Sequence, residues 1–122
     1  MDKVSQMSTQ KLAFLGDAVY ELLVRERIVT EREGKIGELH NIKVSKVCCE
    51  AQSEFFKKLE PLFTEDELAI YRRGKNIRSG RVPKNVEPNV YYCATGLEAV
   101  FGYLYLNRKI SRIEEFLKIM NI

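Results

Sequence analysis

The spacing of apolar residues in the first half of the chain predicts two long helices. In the first, from about Thr9 to Val29, apolar side chains recur every three or four residues. They are Leu12, Leu15, Val19, Leu22 and Leu23. The second helix runs from about Gly37 to Leu59, where Pro61 follows and ends it. Its apolar stripe is made by Val44, Val47, Cys48, Ala51, Phe55 and Leu59.

The second half of the chain predicts three shorter helices and one loop. Residues 64–67 (Thr-Glu-Asp-Glu) have the spacing of a capping box and predict a helix from there to about position 73. Residues 75–88 contain glycine and two prolines without any clear period, so we expect an exposed loop. A helix follows over about 89–106. A second capping box at 111–114 predicts the last helix, whose inward side chains are Ile113, Phe116, Leu117 and Met120.

No stretch alternates convincingly with a period of two residues, which indicates an all-α fold of about five helices around one core. The 122 residues, 45% hydrophobic and 30% charged, are typical of a soluble protein with a single domain, here residues 1–122. No apolar run reaches the roughly 18 residues of a membrane span. The N-terminus lacks a secretory apolar region, so a cytoplasmic location is expected.

Positive charge is concentrated in one place. The net charge is only +3, but residues 71–85 (YRRGKNIRSGRVPKN) contain six basic residues and no acidic one. The other 107 residues carry 14 basic and 17 acidic side chains. This segment therefore predicts a polyanionic partner that binds at one site on the surface, the alternative being a merely solvated run of charge.

Two acidic residues occur inside the most apolar helices. Asp17 lies in LAFLGDAVYELLV directly after Gly16, and Glu98 lies in ATGLEAVFGYLYL directly after Leu97. An ionised carboxylate in an apolar core is normally paired, hydrogen-bonded or bound to a metal ion. The simpler alternative places each acid on a solvated face, with Asp17 and Glu21 paired to Arg25 or Lys11.

Several kinds of catalysis lack their residues. The single histidine, His40, has no GxSxG motif beside it, the chain has no P-loop, and its three cysteines form no CxxC pair. The sequence therefore does not favour a zinc finger, a disulfide scaffold or a nucleophilic triad, and His40 is interpreted as a helix-face or interface residue. For an enzyme acting on a polyanion, the remaining chemistry is an oxygen-ligated Mg²⁺ or Mn²⁺ ion.

These segments together resemble the ribonuclease III family. LAFLGDAVYELLV is similar to its signature segment, and ATGLEAVFGYLYL is similar to its second catalytic helix. The basic segment 71–85 and the short chain resemble the compact Mini-ribonuclease III form, which lacks a separate double-stranded-RNA-binding domain. The resemblance extends from about Lys11 to Leu106.

The resemblance implies a ribonuclease III-like helical domain with catalytic, metal-binding acids at Asp17 and Glu98. Two further acids of the larger enzymes are replaced here by Ala13 and Thr95. Thr95 remains a candidate for holding a metal-bound water. Glu21 and Glu50 remain candidates for additional metal ligands. The implied cofactor is Mg²⁺, with Mn²⁺ as a substitute. The implied reaction is hydrolysis of phosphodiester bonds in double-stranded RNA, with 5′-phosphate and 3′-hydroxyl products.

The resemblance also implies partners. Phe14 matches a phenylalanine that enters a pocket of the second subunit in a homodimer, the alternative being an ordinary core aromatic. The implied substrate is the large-subunit (23S) ribosomal RNA precursor, with a ribosomal protein as a further partner that presents it. The expected RNA-binding residues are Arg72, Arg73, Lys75, Asn76, Arg78, Arg81, Lys84 and Asn85.

Two other functions remain open at this point. Some ribonuclease III-like domains are non-catalytic RNA-binding modules in ribosome assembly. Those domains have lost the catalytic acids, whereas this chain has both Asp17 and Glu98. A small helical adaptor between proteins is the third alternative, and only the composition supports it.

Overall fold

Helices form all the regular structure in the part of the chain that the computed structural model describes, residues 2–78 and 82–122. In that part they are α1 (Thr9–Glu31), α2 (Ile36–Val47), α3 (Cys49–Leu59), a 3-10 turn (Glu60–Leu62), α4 (Glu65–Lys75), α5 (Pro88–Leu106) and α6 (Ile110–Met120). The predicted all-α fold is confirmed.

Helix α5 lies at the centre and packs against α1, α3, α4 and α6. Its sequence is apolar on nearly every side, which is typical of a helix surrounded by others rather than one with a solvated face. Most of its residues between Cys93 and Leu104 are buried. Among the described residues, no helix is both long enough and apolar enough to cross a membrane.

The long helix predicted from about Gly37 to Leu59 is wrong, because the chain breaks into α2 and α3 at Cys48. That residue has extended backbone angles, φ −66° and ψ 158°. The break frees two backbone carbonyls, and side chains from elsewhere satisfy them. The Tyr20 hydroxyl donates to the Lys46 carbonyl at 2.7 Å, and the Gln52 side-chain amide donates to the Val47 carbonyl at 3.0 Å. Tertiary hydrogen bonds therefore stabilise a break that no glycine or proline marks in the sequence.

The capping box at the start of α4 is present. The Glu67 N–H donates to the Thr64 hydroxyl at 3.2 Å, and the Thr64 N–H donates to the Glu67 carboxylate at 2.8 Å. Glu67 is only 3% exposed, and the Arg112 guanidinium on α6 donates two hydrogen bonds of 2.8 Å to it. Since a buried carboxylate needs such partners, this ion pair fixes α6 against the start of α4.

The second predicted capping box, at residues 111–114, is wrong. α6 begins at Ile110 with Lys109 in the N-cap position, and no side chain caps it. Arg108 turns the chain with a left-handed φ of 56°, and the Lys109 N–H donates to the Leu104 carbonyl at 2.9 Å. This turn starts the helix before Ser111. The inward face is as predicted, because Ile113, Phe116, Leu117 and Met120 are buried.

Candidate active site

The site begins at the crossing of α1 and α5, where the two backbones touch. A Cβ atom on Gly16 would overlap the Glu98 carbonyl, and one on Gly102 would overlap the Leu12 carbonyl. Only glycine permits helices to approach so closely. Because Asp17 directly follows Gly16, the crossing brings Asp17 and Glu98 together.

The two acids have different surroundings. Asp17 is exposed, whereas Glu98 is partly buried. Burial, and to a smaller extent the neighbouring Asp17 carboxylate, raises the pKa of Glu98 to about 8. Without a cation, the pair therefore holds a proton at neutral pH. A divalent cation between the carboxylates would replace that proton and stabilise both negative charges.

Gln52 is a third residue of this site, and it was not predicted from the sequence. It lies on α3, is 3% exposed, and donates through Nε2 to both the Val47 carbonyl at 3.0 Å and Glu98 Oε2 at 3.4 Å. The hydrogen bond to Glu98 favours the ionised carboxylate and so lowers its pKa, against the effect of burial. A signal existed in the sequence, because Gln52 is a polar residue on the same helical stripe as Phe55, Phe56 and Leu59.

The other oxygen ligands considered from sequence have their own partners or face solvent. The Thr95 hydroxyl donates to the Tyr91 carbonyl one turn earlier, at 3.1 Å. Glu21 forms ion pairs with Lys43 at 3.1 Å and Arg25 at 3.7 Å. Glu50 is exposed. Only Asp17 and Glu98, of the acids named from sequence, converge at the helix crossing.

The basic segment 71–85 begins in the last turns of α4, which pack against α5. Gly74 at the end of α4 packs against Gly96 and the Thr95 carbonyl on α5, within one turn of Glu98. Farther along, the Arg78 guanidinium lies over the Tyr92 ring, 3.7 Å from its centre. Gly74 and Arg78 of this segment therefore contact the first turns of the helix that carries Glu98.

The predicted RNA-binding side chains differ in accessibility. Arg73 is half-buried and donates to the Ser5 carbonyl at 2.6 Å and the Met7 carbonyl at 2.9 Å, so its guanidinium fastens the N-terminal segment. Lys75 is also half-buried. The exposed members are Arg72, Asn76, Arg78, Lys84 and Asn85. Arg81 lies outside the described residues.

The chain matches a known protein family over most of its length. The Ribonuclease III domain profile matches residues 10–109, which include both acids and the whole basic segment. The chain belongs to the ribonuclease III family. Similar proteins are named Mini-ribonuclease 3, so the resemblance to the compact form is confirmed.

Two of these relatives and one solved structure illustrate the match. The Mini-ribonuclease 3 of Thermoanaerobacter sp. strain X514 is 41% identical over 116 residues, which are 95% of this chain and 82% of the relative. That of Synechococcus sp. is 45% identical over 101 residues, 83% of this chain and 72% of the relative. A crystal structure of a Fusobacterium nucleatum protein has a TM-score of 0.84 at 33% identity, with 99% of this chain and 94% of that chain covered.

Ribonuclease III enzymes generally depend on a divalent metal ion, and the residues at the crossing fit one. Mg²⁺ binds through one or two carboxylates and keeps water or phosphate as its other ligands. Asp17 and Glu98 would supply that donor set. Within residues 2–78 and 82–122, no cluster of three or more His, Cys, Asp or Glu side chains offers a more complete protein cage.

Another feature relevant to the ribonuclease III family is an apolar face on α1. Phe14 is 85% exposed, so the alternative of a core aromatic is wrong. Leu22 and Val29 on the same side of the helix are 64% and 67% exposed. Such a row of large apolar side chains in water is typical of an interaction surface.

An apolar pocket opens next to this face. It lies between α1 and α2, has a volume of about 160 Å³, and is lined by Ile28, Val29, Ile36, Leu39 and His40 among others. His40 is exposed on α2, as the interpretation of a helix-face residue predicts. For comparison, a closed apolar cavity of about 150 Å³ is large enough to hold a benzene ring.

Proposed function

We propose that this chain is a divalent-metal-dependent endoribonuclease that hydrolyses phosphodiester bonds in double-stranded RNA. The observation that carries the proposal is the meeting of Asp17 and Glu98 at the backbone contact between α1 and α5. Structural packing does not need two carboxylates there, since their mutual repulsion destabilises the pair without a proton or a cation.

Asp17 and Glu98 would hold Mg²⁺, or Mn²⁺ in its place. When bound, the ion supplies a water of lowered pKa and neutralises charge on the phosphate. The chain itself fixes the two carboxylates through the glycine contact and excludes solvent from one side of Glu98. The proposed products carry 5′-phosphate and 3′-hydroxyl ends.

The basic segment is the proposed RNA contact. Exposed arginine and lysine side chains bind phosphates, while Asn76 and Asn85 can hydrogen-bond phosphate or 2′-hydroxyl oxygens. A-form RNA is recognised mainly by shape and backbone, which suits a segment of basic and amide side chains. Its exposed Arg78 lies over Tyr92, on the same helix as Glu98, so phosphates bound there would lie along that helix.

The proposed active form is a homodimer in which Phe14 enters a pocket of the second subunit. Two α1 helices that pair antiparallel around a two-fold axis between Glu21 and Leu22 would place Phe14 next to the partner's Val29. The apolar pocket described above opens at that residue and has room for one aromatic ring. Two active sites would then face the two strands of one duplex.

The proposed biological substrate is the large-subunit (23S) ribosomal RNA precursor in the cytoplasm, with a ribosomal protein that presents it. The whole chain, residues 1–122, would act as one catalytic domain. Support for these points is the similarity to Mini-ribonuclease 3 proteins, and the test is processing of a precursor transcript with and without ribosomal proteins.

The central test is cleavage of a long RNA duplex with Mg²⁺ by the wild type, Asp17→Asn and Glu98→Gln. We expect both variants to bind the duplex but leave it intact, because each removes one carboxylate without changing the size of the side chain. Glu26→Gln, at an exposed acid on the same helix as Asp17, is the matched control and should cleave normally. Full activity in either site variant would contradict the assignment. A wild type that binds duplex RNA but never cuts it would favour the non-catalytic RNA-binding module.

A further inference from the structure

The Gln52 side chain connects the break between α2 and α3 to the acid pair. Its Nε2 donates to the Val47 carbonyl, which the break at Cys48 has freed, and to Glu98 Oε2. A single buried amide therefore hydrogen-bonds both the end of α2 and one of the two carboxylates.

The orientation of this amide follows from its partners. The Val47 carbonyl can only accept a hydrogen bond, so the nitrogen and not the oxygen of Gln52 must face it. The same nitrogen then has its second hydrogen available for Glu98. An amide that makes both bonds is restricted in rotation, and Glu98 Oε2 is hydrogen-bonded to a group that α3 holds in place.

The other end of the amide lowers stability. Gln52 Oε1 is buried and accepts no hydrogen bond from any described residue. Burying an acceptor without a partner typically costs about 1–3 kcal/mol, a cost that an apolar side chain of the same size avoids. Packing alone therefore does not explain an amide at this position of the apolar stripe, whereas its hydrogen bonds to the Val47 carbonyl and to Glu98 do.

We propose that Gln52 is a positioning residue that holds the Glu98 carboxylate in the orientation that binds the divalent cation. The hydrogen bond to Oε2 leaves Glu98 Oε1, together with Asp17, for the ion. This inference rests on the proposed function, since it requires that Glu98 is a metal ligand. Partners that hydrogen-bond a metal ligand in this way typically raise metal affinity about 10–100-fold.

The test is Mn²⁺ binding to the RNA-free full chain, measured by electron paramagnetic resonance, with the melting temperature of each variant recorded in parallel. Gln52→Met keeps the size of the side chain and removes the amide, and we expect its Mn²⁺ dissociation constant to rise by about 10–100-fold. Gln52→Leu carries the same expectation with a different shape, in case the first variant does not fold.

Tyr20→Phe is the matched control. It removes the hydrogen bond to the neighbouring freed carbonyl, that of Lys46, and leaves the contact between Gln52 and Glu98 in place. We expect it to lower the melting temperature about as much as Gln52→Met while its Mn²⁺ affinity stays within twofold of wild type. An equal loss of affinity in both variants would show that Gln52 only supports the helix break and would overturn the proposal.

Glu98→Gln distinguishes failure of the positioning role from failure of the proposed metal site. If Glu98→Gln loses Mn²⁺ binding and the Gln52 variants keep wild-type affinity, the positioning role is wrong and the proposed metal site stands. If Glu98→Gln itself binds Mn²⁺ as the wild type does, the metal site is wrong, and the role of Gln52 is wrong with it.

Discussion

Gly16 lies against the backbone carbonyl of Glu98 so closely that a Cβ atom there would overlap the oxygen. The contact joins two helix backbones, so no change of side-chain rotamer can make room for a larger residue. The position of Asp17 relative to Glu98 therefore depends on the hydrogen atom that glycine has in place of a side chain.

Gly16→Ala should move α1 away from α5. We expect a loss of about 1–3 kcal/mol or more in the free energy of unfolding, as for other overpacked cores, and a loss of cleavage because the acids separate. Denaturant unfolding and a duplex cleavage assay measure the two effects. Gly37→Ala on α2 is the control, since nothing lies within 4 Å of an added Cβ there. Alanine favours helix at that position, so stability should be unchanged or higher. Wild-type stability in Gly16→Ala would refute the close contact.

The sequence predicted those parts of the fold that depend on local spacing. The all-α class, the capping box at Thr64 and Glu67, and the inward face of α6 follow from periodicity and short motifs. The break at Cys48 could not be predicted, because its stability comes from Tyr20 and Gln52, which reach the freed carbonyls from α1 and α3.

The same limit applies to the candidate site. Asp17 and Glu98 stand out as acids in apolar helices, but periodicity does not show that these helices cross at a glycine. Gln52 contacts Glu98 from 46 residues away in sequence. Charge density likewise located the basic segment, but it does not show that Arg73 is occupied by two backbone carbonyls.

The raised pKa of Glu98 predicts a dependence of stability on pH in the presence of a chelator. The carboxyl has an ordinary pKa of 4.5, and in the folded protein the value is about 8. Between these values the folded state binds more protons at this site than the unfolded state does. The contribution of Glu98 to stability is therefore fully present below about pH 4.5 and is lost as the pH rises toward 8.

Glu98→Gln removes this dependence, because its amide does not titrate. The expected result, from urea unfolding in EDTA at a series of pH values, is that the variant gains stability relative to the wild type as the pH rises from about 4.5 to about 8. A constant difference between the two proteins over that interval would show that the pKa of Glu98 is not raised.

Phe14→Ala tests the proposed dimer. Because Phe14 is 85% exposed in the single chain, its removal should leave the fold of one subunit intact and weaken association, which sedimentation velocity at a series of concentrations measures. Ile110→Ala is the control, since Ile110 is a 49% exposed apolar residue on a different helix. If both variants dissociated equally, or if neither dissociated more than the wild type, the result would argue against an interface at Phe14.

Arg72 and Arg73 are neighbours of equal charge, yet we expect their replacement to have different effects. Arg72 is exposed, so Arg72→Ala should weaken binding to a short RNA duplex, reduce the salt slope of the binding constant by about one, and leave the melting temperature unchanged. Arg73→Ala should lower the melting temperature, because the Ser5 and Met7 carbonyls lose their donor.

Both variants lose one positive charge, so net charge alone predicts the same salt slope for each. The measurement is duplex binding between about 50 and 200 mM salt, made in the Glu98→Gln background to prevent cleavage. It distinguishes a direct phosphate contact from long-range attraction by the net charge. If Arg72→Ala kept the wild-type slope, Arg72 would not contact a phosphate, and the exposed part of the basic segment beyond it would have to provide the contacts.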